Sequence, residues 1–181
     1  MNAADASAAT RHLARAAWAG YEWALSTDGK AFMTERRLEG LALEDLSVGQ
    51  TAERVRSVSE ADVAAFAAVS GDFNPVHLDE DYARTTLMKG RVVHGALLGG
   101  FISAVLGAEL PGPGAIYLSQ TLSFKRPVRL DDEVTVRVVV KAIEDENVTF
   151  GTACLVRRKV AADGEAVVRV ARRRVVQNGA D

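Results

Sequence analysis

From Leu46, the segment "LSVGQTAERVRSVS" alternates apolar and polar positions, the period of a strand that buries one face. The next stretch, "SEADVAAFAAVS", changes period. Ser59 is placed as an N-cap, and Val63, Phe66 and Ala67, with Ser70 beyond them, fall on one side of a short amphipathic helix. A polar turn follows, "SGDFNPVH" at residues 70–77, in which Asp72, Asn74 and Pro75 are turn formers. "DEDYARTTLMKG" then adds one or two helical turns closed by Gly90. Residues 94–110, "HGALLGGFISAVLGAEL", are hydrophobic or small almost all the way round, which predicts a helix enclosed by its own protein. His94, Glu109 and the interior Gly99, Gly100 and Gly107 set it apart from a membrane span.

After the breaker "PGPG" the period changes again and stays changed. "AIYLSQTLSF", "EVTVRVVVKAI", "VTFGTACLVRRKV" and "AVVRVARRRVVQ" are β-branched, partly alternating runs and read as strands. The turns "RPVRLDD", "EDEN" and "AADG" are too short for crossover helices, so the pairing is antiparallel. One strand, a buried helix and a four-strand meander, in that order, are most economically satisfied by curling the sheet around the helix. The expected fold is α+β, an antiparallel β-sheet wrapped around a long central helix, the hot-dog arrangement.

Composition narrows the partners. A chain of 181 residues, 48% hydrophobic and 25% charged, is one soluble domain with enough material for a real core. The formal charge is −2 and the basic residues are interleaved with acids, so no nucleic-acid footprint stands out and a small or neutral partner is expected. The single cysteine, Cys154, excludes an intrachain disulfide and has no histidine nearby in the sequence to complete a metal site; it reads as a small core residue. Near the N-terminus, "ATRHLARAAWAGYEWAL" places Arg11 and Arg15 before an Ala/Trp run, but Asp5 and Glu22 argue against a transit peptide. Met33 opens a segment that would itself start the domain sensibly, so residues 1–32 read as dispensable. Residues 1–40 are taken as a loosely ordered extension, residues 41–181 as the domain, and the location as cytoplasmic, with no membrane partner.

The turn at 70–77 has more chemistry than a connection needs: an acid and an imidazole five positions apart. Four segments, "SGDFNPVHLD" (70–79), "VVHGALLGG" (92–100), "LPGPGAIYLSQTLSFKRPV" (110–128) and "DDEVTVRV" (131–138), resemble the MaoC-like, R-specific enoyl-CoA hydratases of the hot-dog superfamily in order and spacing. The resemblance runs from about Leu46 to Val176 and leaves residues 1–40 outside. It implies that Asp72 and His77 are the catalytic pair and that Gly95, at the start of the central helix, offers its backbone N–H to a thioester carbonyl. It also implies an acyl tunnel along the inner side of that helix, with Ser103 and Leu106 as candidate lining. Lys125, Arg126 and Arg129 would then lie within reach of the coenzyme A phosphates. A homodimer with one longer sheet is implied as well.

The residue types fit the reaction independently. Hydration of a trans-2-enoyl thioester needs a base for the water, an acid for the α-carbon, and positive potential where enolate charge develops. No metal or redox cofactor is required, and coenzyme A is part of the substrate. Taken alone, Asp72 and Asn74 are also ordinary turn formers, His77 an ordinary half-buried side chain, and the basic residues an ordinary solvated patch. Asn74 is expected to orient the turn or the water at the substrate site, Ser70 either to bond at the helix end or to serve the site, and His94 to satisfy backbone groups from its helix-terminal position, with a direct catalytic role as the alternative. A thioesterase on the same fold would place an acid on the central helix, whereas residues 94–108 contain none. A non-catalytic acyl-binding relative would lack Asp72 or His77. The acyl group's carrier, coenzyme A or acyl carrier protein, stays open at this level.

Overall fold

The computed structural model describes residues 23–25, 31–33 and 39–173. The chain divides into two units, residues 1–38 and residues 39–181. In the first, strand β1 (Trp23–Leu25) pairs antiparallel with β2 (Ala31–Met33), Trp23 opposite Met33. The expectation of a loosely ordered extension otherwise falls outside the described residues.

The second unit is built on a six-stranded antiparallel sheet. Its strands are β3 (Thr51–Ser57), β4 (Ile116–Gln120), β5 (Ser123–Phe124), β6 (Glu133–Glu144), β7 (Asn147–Val156) and β8 (Lys159–Arg169). The order is β3-β6-β7-β8-β4, with β5 also pairing β8. Four helical segments complete it: α1 (Glu60–Ser70), α2 (Pro75–Leu78), α3 (Glu80–Thr85) and α4 (Gly95–Ala108). Helix α4 lies on β3, β6 and β7. The alternation read from the sequence places Val134, Val136, Val138 and Val140 of β6, and Val148, Phe150 and Cys154 of β7, on the inner face. They share one core with Leu98, Phe101, Ile102, Val105 and Leu106 of α4. This is the hot-dog arrangement. Burial pushes the Cys154 thiol up to about 12, which makes it a core residue and a poor nucleophile.

Ser59 caps α1 as expected, its Oγ accepting from Asp62 N at 3.2 Å while the Asp62 carboxylate accepts from Ser59 N at 2.9 Å. The helix ends at Gly71, whose φ of 77° suits glycine. Among the described residues no helix is long and apolar enough to cross a membrane.

Three expectations need correction. Helix α4 is enclosed on one side only, since Ala96, Gly100 and Gly107 are exposed within this chain. The third hairpin does not turn at "AADG": Arg157 and Arg158, with φ of 49° and 63°, make the turn, and β8 passes straight through Ala161–Gly164, pairing Asp163 with Ala153 and Gly164 with Thr152. Gly164 serves close approach there, because a Cβ on it would lie 1.7 Å from the Thr121 carbonyl oxygen. The run "AIYLSQTLSF" divides into β4 and β5, and β8 ends at Arg169, short of the strand expected to reach Gln177.

Candidate active site

The segment between α1 and α4 is held by its own polar side chains. Ser70 Oγ accepts from Asp72 N at 3.2 Å, Asp72 Oδ1 from Asn74 N at 3.2 Å, and Asn74 Oδ1 from Val76 N at 3.2 Å. Each acceptor starts the next turn, and Asn74 caps α2 with Pro75 at its first position, where proline's missing N–H costs nothing. His77 therefore stands on a helical turn, not in an open loop. Asp79 repeats the device for α3, accepting from Tyr82 N at 3.0 Å.

The geometry at His77 fixes its protonation pattern. Its Nδ1 lies 2.8 Å from the Val92 carbonyl oxygen, which can only accept, so Nδ1 carries a proton and the neutral ring presents its lone pair at Nε2. A carboxylate oxygen of Asp72 and one ring nitrogen each of His77 and His94 lie within 4.8 Å of one another, a span that one water can bridge. His94 is 1% exposed, and its Nε2 donates to the Asp72 main-chain oxygen at 3.0 Å. The imidazoles of His77 and His94 stack with centroids 3.8 Å apart and planes inclined by 28°. Two near-parallel rings do not converge in-plane lone pairs on one ion, and one nitrogen of each is committed as a donor, so the cluster suits proton transfer better than metal ligation. His94 was expected to satisfy backbone groups, and it does so on the main chain of Asp72, with no bond to the first-turn amides of its own helix.

Gly95 opens α4. A Cβ on it would lie 2.9 Å from Phe124 Cε1, so glycine lets that ring pack against the helix start. Among the described residues no group accepts from the Gly95 or Ala96 N–H, leaving two donors at the positive end of a 14-residue helix. His77, Gly95, Phe124, Lys125 and Arg126 line one cleft of about 460 Å³, together with Met88 and Val92.

The remaining candidates distribute unevenly. Leu106 is a core residue at 2% exposure, Ser103 is half-buried, and Asp72 and Asn74 are exposed; none of the four is on the cleft wall. Lys125 Nζ is 3.3 Å from Asp163 Oδ1, and Arg126 donates to the Val160 carbonyl at 2.9 Å. Arg129 is not placed for a phosphate: its guanidinium donates to the carbonyls of Gly90 at 2.6 Å and Arg91 at 3.0 Å, and also to that of Met88, clamping the turn before Val92. Arg91 went unnoticed in the sequence. Its Nε donates to the His77 carbonyl at 2.9 Å and its guanidinium to Glu60 at 2.7 Å. The Arg91 backbone N–H, with Arg84 beside it, holds the Glu80 carboxyl below the usual carboxylate range. Both arginines act on main-chain oxygens, for which a charge pattern gives no signal.

The fold and this arrangement, a carboxylate and an imidazole held over the N-terminus of a sheet-wrapped helix, agree with what the chain is similar to. Residues 46–163 match the MaoC-like domain, and the chain belongs to that family. It is 53% identical over 129 residues to an (R)-specific enoyl-CoA hydratase of Rhodospirillum rubrum, covering 70% of this chain and 90% of the relative. It is 46% identical over 135 residues to a 3-hydroxybutyryl-CoA dehydratase of Methylorubrum extorquens, covering 74% and 86%. The solved structure of R-hydratase PhaJ1 from Pseudomonas aeruginosa superposes with a TM-score of 0.71 at 41% identity, over 78% of this chain and 96% of that one.

Proposed function

We propose that this protein is an R-specific enoyl-CoA hydratase, a hydro-lyase that adds water across the double bond of trans-2-enoyl thioesters and catalyses the reverse dehydration. The observation that carries the reading is the His77 imidazole, its Nδ1 committed to Val92, on the wall of a cleft that Gly95 also lines, with the Asp72 carboxylate close enough for one water to bridge. The water oxygen bonds to C3 as the pair removes one of its protons, and the electrons of the double bond move toward the thioester carbonyl. The enolate charge develops on that oxygen, opposite the N–H of Gly95 and the positive end of α4. A proton returned from the pair to C2 completes the addition, so one water is consumed and nothing is left over. Asn74 orients the turn through its cap, and no metal or redox group is called on. Coenzyme A is the favoured carrier because the relatives at 53% and 46% identity described above are named for CoA thioesters. Lys125 and Arg126 on the cleft wall suit its phosphates. A cytoplasmic location belongs to the same reading, since such thioesters are made and consumed inside cells.

A homodimer is part of this proposal. Strand β4 is a sheet edge with Ile116, Tyr117 and Leu118 exposed at 56%, 37% and 45%, which an isolated soluble chain avoids. Pairing β4 with its copy would give the longer sheet and cover apolar surface that this chain leaves in water. Sedimentation should find a dimer, and a fully active monomer at assay concentration would remove this part.

The direct test is hydration of crotonyl-, octenoyl- and longer enoyl-CoA, following loss of the conjugated thioester and the chirality of the product. Turnover giving R-3-hydroxyacyl-CoA supports the reading. Activity confined to the acyl carrier protein thioesters would move the carrier, and hydrolysis of the thioester would replace the reaction.

A further inference from the structure

His94 is an expensive residue at its position. It is 1% exposed, packs 5.0 Å from the Phe66 ring, and leaves Nδ1 buried with no partner among the described residues. An apolar side chain would fill the same space without stranding a polar atom. It does not cap its own helix. What it touches is the proposed catalytic pair, once through a donor and once through a ring face.

We infer that His94 is a positioning residue for the hydration, holding Asp72 and His77 in register with each other and with the start of α4. The inference rests on the reading of Asp72 and His77 as the proton-transfer pair. A carbonyl oxygen only accepts, so the 3.0 Å contact with Asp72 puts the His94 proton on Nε2 and ties down the main chain that carries the carboxylate. For His77, the bond from Nδ1 to Val92 fixes one direction in the ring plane and leaves rotation about that direction open. Stacking at 3.8 Å on the buried His94 ring fixes the plane, and with it the direction of the Nε2 lone pair. Val92, His94 and Gly95 are near neighbours in the chain, so one short segment holds the imidazole, the main chain that carries the carboxylate, and the Gly95 amide proposed to face the thioester carbonyl. Proton transfer through a shared water depends on such register, and a displacement of about 1 Å can cost roughly a hundredfold in rate.

The test uses crotonyl-CoA and three variants of the full chain. His94→Leu removes both functions, His94→Gln restores a donor, and His94→Phe restores a ring. The leucine variant should lose roughly 10- to 100-fold in kcat with KM little changed, and the glutamine and phenylalanine variants should each recover part of that loss. A leucine variant within twofold of wild type, or losses confined to KM, would overturn the inference. Asp72→Asn run in parallel separates the two readings: if it is inactive while His94→Leu is normal, only the positioning role falls, and if it turns over normally the pair itself falls. Should the leucine variant not fold, long-range proton–nitrogen couplings in the wild-type protein decide: a proton on Nε2 of His94 supports the role, and a proton on Nδ1 overturns it.

Discussion

The segment from Ser70 to His94 and the helix–sheet core are stabilised by different physics. In the core, Ile102, Val105, Val138 and Phe150 are at or near full burial and hold together by area removed from water. In the overhanging segment Asp72, Phe73 and Asn74 are exposed, and the backbone is held by side-chain acceptors one turn at a time. The core tolerates little change in volume but does not care about a proton. A single polar change in the overhang should cost little stability and displace the groups proposed to react. On the proposed reading, stability and chemistry lie in different parts of one small domain and meet at residues 92–95.

The sharpest way to break this division is to change the pair. Asp72→Asn and His77→Gln should each fold normally and lose several orders of magnitude in hydration, with the double variant little worse than the worse single one, because both groups act on one water. Near-wild-type turnover by either would end the assignment. The converse change lies in the core: Ile102→Ala, at a fully buried position, should cost about 2–5 kcal/mol of stability while the molecules that remain folded turn over normally. Denaturant unfolding alongside kcat reads both. A collapse of kcat in folded protein would mean that the two regions are not separable.

What the sequence showed follows the same division. The alternation of β6 and β7 was legible because burial on one face imposes a period, whereas the small residues that make α4 read as apolar all round hid its exposed side. Asp72 and His77 stood out through motif and spacing, and the structure brings them together, while their catalytic role belongs to the proposal. The third hairpin misled because Asp163 and Gly164 are turn residues by type, whereas Gly164 is needed for close approach of Thr121 and two arginines make the turn at positive φ. Ser103 and Leu106 were assigned to a tunnel wall, but core position and cavity wall share the same residue types, and in this chain neither lines the cleft. His94, Arg91 and Arg129 bond to carbonyl oxygens brought near only by the fold, and a main-chain acceptor has no letter in the sequence.

A smaller effect sharpens the boundary at the start of α1. Burial opposes the charge on Asp62 more than any one partner favours it, but the Ser59 N–H and hydroxyl together with Arg56 outweigh it and hold the carboxyl below its ordinary value of 3.8. A group depressed on folding stabilises the protein above its unfolded value and ceases to do so as pH falls through the folded one. Stability should therefore fall below about pH 4. Ser59→Ala should remove about 1 kcal/mol at neutral pH and flatten the Asp62 part of that acid loss, with kcat unchanged. Chemical denaturation at pH 7 and pH 3 compares them, and an unaltered acid profile would show that this cap is not what lowers Asp62.

The central claim is that one water, held from one side by Asp72 and His77, supplies both the hydroxyl at C3 and the proton at C2. Hydration of crotonyl-CoA in deuterium oxide tests it most directly, because the relative configuration at C2 and C3 is read from the proton coupling in the product. A syn adduct with the R configuration at C3 is the predicted result. A predominantly anti adduct, or an S product, would contradict it.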